Sequence, residues 1–330
     1  MKTAVKKTSS LQTNFPATLW YQTNWLSCLL LPFSWIYCLI IYIRRTLYRL
    51  DIFHSYKSPI PIIIVGNITV GGTGKTPLVI ALAKLLASKN FHPAVITRGY
   101  KAKYTTNLIE ISKKNTVEEI GDEAFLLAKH LHCPIIVSKD RVLAAKTLLK
   151  KHKCDVIISD DGLQHYALDR HIEIAVIDGE RRLGNGFLLP AGPLRESTSR
   201  LKEVDFIVSN GKAKNNEFSM SLEPQNLPNL SKQTVHAVAG IGNPDRFFST
   251  LRKLGFSVIP HAFPDHHWFS AKDLDFGDEK PILMTEKDDV KCQNLPKNIA
   301  KKCFTVPVEA KLEDRFIELL LEKLRKLHNV

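Results

Sequence analysis

Hydrophobic and polar positions divide the chain into stretches of different texture. The first apolar run, "WLSCLLLPFSWIYCLIIYI" from Trp25 to Ile43, has no charged residue and is followed at once by Arg44, Arg45 and Arg49. A run of that length can just cross a hydrocarbon core. Pro32 interrupts it, the aromatics Trp25, Phe33, Trp35, Tyr37 and Tyr42 are spread along it, and no small-residue cleavage site follows, so a removed signal peptide is not indicated. The expectation is an N-terminal membrane-anchor helix, spanning the bilayer or lying in its interface. A buried hairpin of the soluble body is the alternative.

Beyond the arginines, short apolar runs alternate with segments of helical spacing. "PIIIVG" (Pro61 to Gly66), "PAVITR", "PIIVS" (Pro134 to Ser138), "DVIISDDG" and "EIAVIDG" (Glu173 to Gly179) read as strands; "TPLVIALAKLLASKN" and a segment from about Arg141 to Lys151 read as helices. Continuously apolar strands separated by amphipathic helices predict an α/β fold, a mostly parallel sheet flanked by helices. From Arg182 to Arg200 the chain is rich in Gly and Pro, and the polar stretches "NGKAKNNEF" and "EPQNLPNLSKQ" mark a boundary. A second alternating set follows: strands "TVHAVAG", "FSVIP", "PILMT" and "CFTVPV", the helix "NPDRFFSTLRKLG", and a C-terminal helix from about Glu313. The expected organisation is an anchor with its basic flank at 1–50, a core at 51–225, and a second, smaller α/β domain at 226–330.

Composition adds limits. A chain of 330 residues, 44% hydrophobic, can bury one large core or two ordinary ones. With 46 Lys and Arg against 33 Asp and Glu the formal charge is +13, which favours polyanions: nucleic acid, an anionic membrane surface or phosphorylated substrates. No nucleic-acid-binding motif is visible, so no nucleic-acid partner is expected. The six cysteines are scattered without C-x-x-C spacing, which indicates neither a zinc site nor a disulfide framework.

The chemistry begins at "VGNITVGGTGKTP", residues 65–77. A phosphate loop curls successive backbone N–H groups around anionic oxygens at a helix N-terminus, and glycines permit the curl. Gly71, Gly72 and Gly74 supply that freedom within Thr69, Val70, Gly71, Gly72, Thr73, Gly74, Lys75 and Thr76, although Thr69 stands where the G-x-x-x-x-G-K-[ST] pattern has its first glycine. "GGTGKT" resembles the glycine-rich loop of the branch of P-loop proteins that holds the partition ATPases and dethiobiotin synthetase. The fold expected is thus P-loop NTPase-like, with Lys75 reaching the β- and γ-phosphates of ATP and Thr76 serving Mg²⁺. Asp160 and Asp161, at a strand end, supply the carboxylates such a metal site needs.

Three further clusters hold candidate acids and bases. Asp122 and Glu123 stand at a helix start, where capping alone would explain them. In "FPDHHWF", Asp265, His266 and His267 could serve a metal or a proton transfer, or be a satisfied surface cluster. Arg195 and Glu196 close the loop "LPAGPLRE", where function and capping are equally common. "GIGNP" (Gly240 to Pro244) reads as a tight turn and not as a second nucleotide site.

The order of these segments carries more than any one of them. "LPFSWIY", "VGNITVGGTGKTP", "TRGY", "GDE", "DDGLQH", "LPAGPLRE", "FPDHH" and "TEKDDVK" (Thr285 to Lys291) together resemble the tetraacyldisaccharide 4′-kinase family, over about residues 20 to 310. That family carries threonine at the place of Thr69. The resemblance implies transfer of the ATP γ-phosphate to the 4′-hydroxyl of a glycolipid, tetraacyldisaccharide 1-phosphate, in lipid A biosynthesis. It implies a monomer, N-terminally anchored at the cytoplasmic face of the bacterial inner membrane. It implies Asp122 as the base for the sugar hydroxyl, paired with His266; Lys75 and Thr76 on phosphate and metal; Asp160, Asp161 and Glu123 at the metal; and Arg195 and Glu196 near the acceptor. "TEKDDVK" is left without residue roles beyond help in holding the nucleoside. The competing reading is a membrane-associated P-loop ATPase switch of the partition or septum-site type. Those proteins carry an additional lysine at the loop start, where this chain has Thr69 and Val70, and their membrane helix is C-terminal.

Overall fold

The structure is a computed structural model that describes residues 19–100, 102, 107–225, 230–292 and 295–328. Residues 1–18 of the expected anchor region and 226–229 of the expected boundary lie outside the described residues.

Two sheets organise the molecule. The larger has nine strands in the order β13-β8-β7-β6-β1-β5-β2-β4-β3. Its centre is β1 (Ile62–Gly66), flanked by β5 (Val156–Asp160) and β6 (Ile172–Asp178); β2 (Pro93–Thr97), β3 (Leu108–Glu110) and β4 (Ile135–Ser138) lie on one side, β7 (Phe206–Asn210) and β8 (Phe218–Pro224) on the other. All pairings among β1, β2 and β4 to β8 are parallel, whereas β3 and β13 (Val308–Leu312) pair antiparallel at the edges. β1 shows why the strand is there. Every residue is buried, with Ile63 and Val65 in the core beneath one face and Ile62 and Ile64 in that beneath the other, and β-branched side chains pack well on such a two-sided surface. The helix Lys75–Ser88 covers the first face with Leu78, Val79, Leu82, Ala83 and Leu86, and the helix Arg141–Lys151 covers the second with Ala144, Ala145 and Leu148.

The smaller sheet is wholly parallel, in the order β10-β9-β11-β12, from β9 (Thr234–Ala239), β10 (Ser257–Ala262), β11 (Ile282–Thr285) and β12 (Cys303–Val306). The helix Pro244–Lys253 packs Phe247, Phe248 and Leu251 on one face of it. The chain then leaves this sheet. β13 pairs with β8, Gln225 N donates to Pro307 O at 2.9 Å, and the helix Asp314–His328 sets Phe316, Leu320, Leu321 and Leu324 into the same core as the Lys75–Ser88 helix. Residues 308–328 therefore belong to the large sheet, where the sequence pattern groups them with the small one. The antiparallel β8–β13 pair stands where the chain leaves the large sheet and where it returns.

The N-terminal apolar run forms two helices, Trp25–Leu29 and Leu31–Arg49, and the second holds Pro32 in its first turn, where a missing N–H costs nothing. Among the described residues no helix is long and apolar enough to cross a membrane. The buried-hairpin alternative does not fit, because Trp25, Phe33, Trp35, Ile36, Leu39 and Ile40 are exposed, Trp35 to 68%. The opposite face is held to the body: Ser34 is 3% exposed, Tyr37 reaches Arg195 O, and Arg45 and Arg49 pair with Glu203.

Candidate active site

The phosphate loop leaves β1 and enters the Lys75–Ser88 helix, with Gly71 and Gly74 at φ 105° and 98°, a region that only glycine adopts without strain. Parallel pairing puts Val65 opposite Asp160, so the strand-end carboxylates lie beside the loop. Lys75 Nζ lies 3.3 Å from Asn67 Oδ1 and 3.4 Å from Asp161. Arg195 donates to both Asp161 oxygens at 3.2 Å. Burial alone would raise the Asp161 carboxyl, but Lys75 and Arg195 outweigh it and hold the group well below the usual carboxylate range. Its neighbour behaves in the opposite way. Burial, with Glu123 and Asp161 close by, pushes the Asp160 carboxyl up to about 7 against the pull of Lys75 and Arg141. Asp160 Oδ2 accepts from Thr97 Oγ1 at 3.3 Å, while its Oδ1 is buried without a hydrogen-bond partner.

The second half of the site joins the helix Asp122–His130, packed on the large sheet, to residues of the small-sheet unit. Asp122 is 5% exposed, at the start of the helix Asp122–His130, and its Oδ2 lies 2.7 Å from His266 Nδ1. Asp122 Oδ1 accepts the Glu123 backbone N–H at 2.9 Å. Lys287 Nζ sits among Glu123 at 3.1 Å, Asp265 at 3.5 Å and Asp122 at 3.9 Å. Burial would raise Asp122, yet the hydrogen bond from His266 and the charges of Lys287, His266 and Lys291 hold it below its ordinary value. Burial would lower Lys287, and the three carboxylates instead keep it firmly protonated. The imidazole of His266 also packs against the Tyr100 ring, with centroids 4.9 Å apart.

Between these halves lies a cavity of about 570 Å³, lined by Gly72 to Thr76, by Glu123, and by Arg246, Phe247 and Lys287 of the small-sheet unit. A volume of that size lies in the range of small-ligand sites. The "GIGNP" turn closes over the loop: a Cβ at Gly242 would overlap the Gly72 backbone N and lie 2.8 Å from its Cα. Asp178, at the end of β6, holds this turn by accepting from Asn243 Nδ2 at 3.1 Å and Arg246 Nη2 at 2.6 Å. Gly242→Ala should therefore push the turn off the phosphate loop and raise KM for ATP about tenfold, the scale of an overpacked contact. Steady-state kinetics check this, and an unchanged KM would mean that the contact is idle.

The sequence-predicted residues thus fall into one region. Thr69 to Thr76, Asp160, Asp161 and Glu123 surround the loop, and Asp122 meets His266 from the other sheet. Arg195 joins them through Asp161. Glu196 is 2% exposed and accepts from Gln164 at 2.7 Å and Tyr166 at 2.5 Å, so its carboxylate is already engaged. Sequence reasoning missed Lys287, Asp178 and the part played by Gly242. Among the described residues, no cluster of three or more His, Cys, Asp or Glu side chains is arranged to hold a metal ion.

Comparison with known proteins agrees with this geometry. The profile of the LpxK family, "Tetraacyldisaccharide-1-P 4'-kinase", matches residues 26–325. A tetraacyldisaccharide 4′-kinase of Legionella pneumophila (strain Corby) is 48% identical over 288 residues, covering 84% of this chain and 88% of the relative. That of Nitrosococcus oceani is 43% identical over 305 residues, covering 88% and 89%. The crystal structure of LpxK from Aquifex aeolicus in complex with ATP superposes with a TM-score of 0.74 at 33% identity, over 91% of this chain and 99% of that one.

Proposed function

The chain belongs to the tetraacyldisaccharide-1-P 4′-kinase family, and from that premise we propose how its residues divide the work. The function is transfer of the ATP γ-phosphate to the 4′-hydroxyl of tetraacyldisaccharide 1-phosphate in lipid A biosynthesis. The observation that carries the division of roles is the Asp122–His266 pair, set against Lys287, which lines the same cavity as the phosphate loop.

In this reading the backbone N–H groups of residues 69–76 and Lys75 grip the phosphates, and Lys75 neutralises the charge that spreads over the γ-phosphate oxygens. Asp122 accepts the proton of the sugar hydroxyl. A carboxylate alone is a weak base toward an alcohol; His266, 2.7 Å away, donates its Nδ1–H to the carboxylate and orients it, and the proton comes to rest on Asp122 as the oxygen attacks. Lys287 sets its ammonium among Asp122, Glu123 and Asp265 and offsets their negative charge. Arg195, paired with Asp161, would meet the acceptor, and Glu196 would act through the Gln164 and Tyr166 that it holds. The residues present fit a Mg²⁺ ion: the unpartnered Asp160 Oδ1 and the high carboxyl of that residue leave a place for positive charge. Thr76, Asp160, Asp161 and Glu123 would hold the ion with its waters, and it would supply charge neutralisation for the β- and γ-phosphates. An ion that arrives with a triphosphate needs no cluster of protein ligands of its own.

The exposed apolar face of the Leu31–Arg49 helix, next to Arg44 and Arg49, supports an interfacial seat on the cytoplasmic face of the inner membrane. A helix fastened to the body at Ser34, Tyr37, Arg45 and Arg49 runs along it, and so lies in the interface. One chain carries every group named, so a monomer is the acting unit. Replacing Trp35, Ile36 and Ile40 together by serine should cut partition into anionic vesicles by about 10³-fold, from roughly 1.5 kcal/mol of apolar burial per side chain. Unchanged sedimentation with vesicles would remove this seat.

Incubation with labelled ATP and the purified disaccharide lipid, followed by mapping of the phosphorylated hydroxyl, tests the reaction. ATP consumption should match lipid phosphorylated at the 4′ position. ATP turnover indifferent to the lipid would favour the switch ATPase instead.

A further inference from the structure

We infer that Ser34 and Tyr37, on the inward face of the amphipathic helix, are positioning residues for phosphoryl transfer, acting through the 187–195 loop that braces the phosphate loop. The inference rests on the kinase reading above, and on the membrane reading only for what the outward face meets.

Ser34 sits between the exposed Phe33 and Trp35, yet it is buried and its hydroxyl both donates and accepts. It donates to Leu188 O at 2.8 Å and accepts the Ala191 N–H at 3.1 Å. One turn on, Tyr37 Oη donates to Arg195 O at 3.1 Å. The loop held in this way is the one that supports the phosphate loop: Val70 N donates to Pro193 O at 2.8 Å and Arg195 N to Ile68 O at 2.7 Å, and Thr69 bridges Leu194. The Arg195 side chain continues the path to Asp161, and Asp161 to Lys75. A continuous hydrogen-bonded path thus joins the helix to the lysine that grips phosphate.

An element that only had to be greasy would need neither group. Burying a hydroxyl is unfavourable unless its bonds are made, and leucine would pack on the body without that condition. What two directed hydroxyls add is orientation. They fix the carbonyls of Leu188 and Arg195 and the N–H of Ala191, and so the angle at which Arg195 meets Asp161. The lipid-facing helix and the ATP-gripping loop therefore form one rigid unit, and transfer runs at full rate only with the helix seated.

The test uses the full chain with Tyr37→Phe and Ser34→Ala made separately. Turnover is measured with acceptor in mixed detergent micelles, and partition is measured apart from it on vesicles of phosphatidylethanolamine and phosphatidylglycerol. Each variant should lose about 3- to 10-fold in kcat, the scale of one hydrogen bond expressed in the transition state, with KM for ATP within about twofold of the parent and vesicle partition unchanged. An unchanged kcat in micelles overturns the inference, and so does a loss confined to the vesicle assay, which would leave the helix as an anchor alone. Should the parent fail to sediment with vesicles, the membrane reading falls while the micelle kcat still decides this one. If Ser34→Ala lowers the thermal midpoint, the kcat of Tyr37→Phe, which keeps the ring and its packing, decides between these outcomes.

Discussion

Lys75→Ala should lower kcat by about 10³-fold, equivalent to ~4 kcal/mol of transition-state stabilisation, while the protein stays folded. The size follows from what phosphoryl transfer asks of a protein. Little covalent chemistry is done by side chains, so positioning and charge neutralisation supply nearly all of the acceleration. Lys75 is the ammonium at the loop; its side chain is 12% exposed, and its partners Asn67 and Asp161 hold it at the helix N-terminus. Alanine is a good helix former at that position, and Asp161 keeps Arg195 as a counter-ion, so the fold should survive the loss. Lys75→Arg separates charge from shape, because a longer planar cation at the same place should recover only part of the rate. Steady-state transfer with ATP binding measured in parallel decides the matter. Retention of more than about a tenth of the activity would show that this loop is not the donor site.

The reason this loop is legible in the chain, when its partners are not, lies in sequence separation. A phosphate loop is a local object: glycines, lysine and threonine within a few positions, after a β-branched strand and before an apolar helix. Asp160 and Asp161 are equally legible, because a strand end next to β1 is where such a fold needs carboxylates. The contact of Asp122 with His266 joins residues 144 apart, and no periodicity brings them together; only the order of motifs pairs them. Lys287 escapes assignment because "TEKDDVK" offers several acids and lysines, and which one turns toward Asp122 depends on how the helix Glu286–Asp289 packs. Gly242 looks like any tight turn, since its meaning is the Gly72 backbone on the other side. The β8–β13 pair is hidden for a different reason. Each is an edge or near-edge strand with one face exposed, and the short apolar–polar alternation of "FSMSLEP" and "VEAKL", set beside polar stretches, is a weak strand signal. Glu196 shows what the chain alone leaves open. A charged residue at the end of a Gly- and Pro-rich loop suggests a ligand, yet here the carboxylate turns inward to Gln164 and Tyr166.

Asp122→Asn should slow the chemical step by ~10²- to 10⁴-fold and leave ATP affinity unchanged, the signature of a lost general base. The substitution is nearly isosteric, and its surroundings can absorb it. Lys291 keeps Asp288 at 2.9 Å, and Lys287 keeps Glu123 and Asp265, so no buried cation is left alone. The amide oxygen can still accept the Glu123 N–H that now reaches Asp122 Oδ1. What disappears is the negative charge beside His266, and with it the group able to take a proton from the sugar hydroxyl. A double-mutant cycle with His266→Ala separates this from a structural role. If the two residues act as one base, the double variant should be no slower than the slower single variant, because the second substitution removes a helper whose work has already gone. If each merely props up the interface between the sheets, the losses should multiply and the thermal midpoint should fall with each step. Single-turnover measurement with ATP already bound gives the cleaner comparison. A variant that loses nucleotide affinity with an unaltered chemical rate would make Asp122 a metal or structural residue, and the base would then have to be sought among Glu123 and Asp265, the other carboxylates that share Lys287.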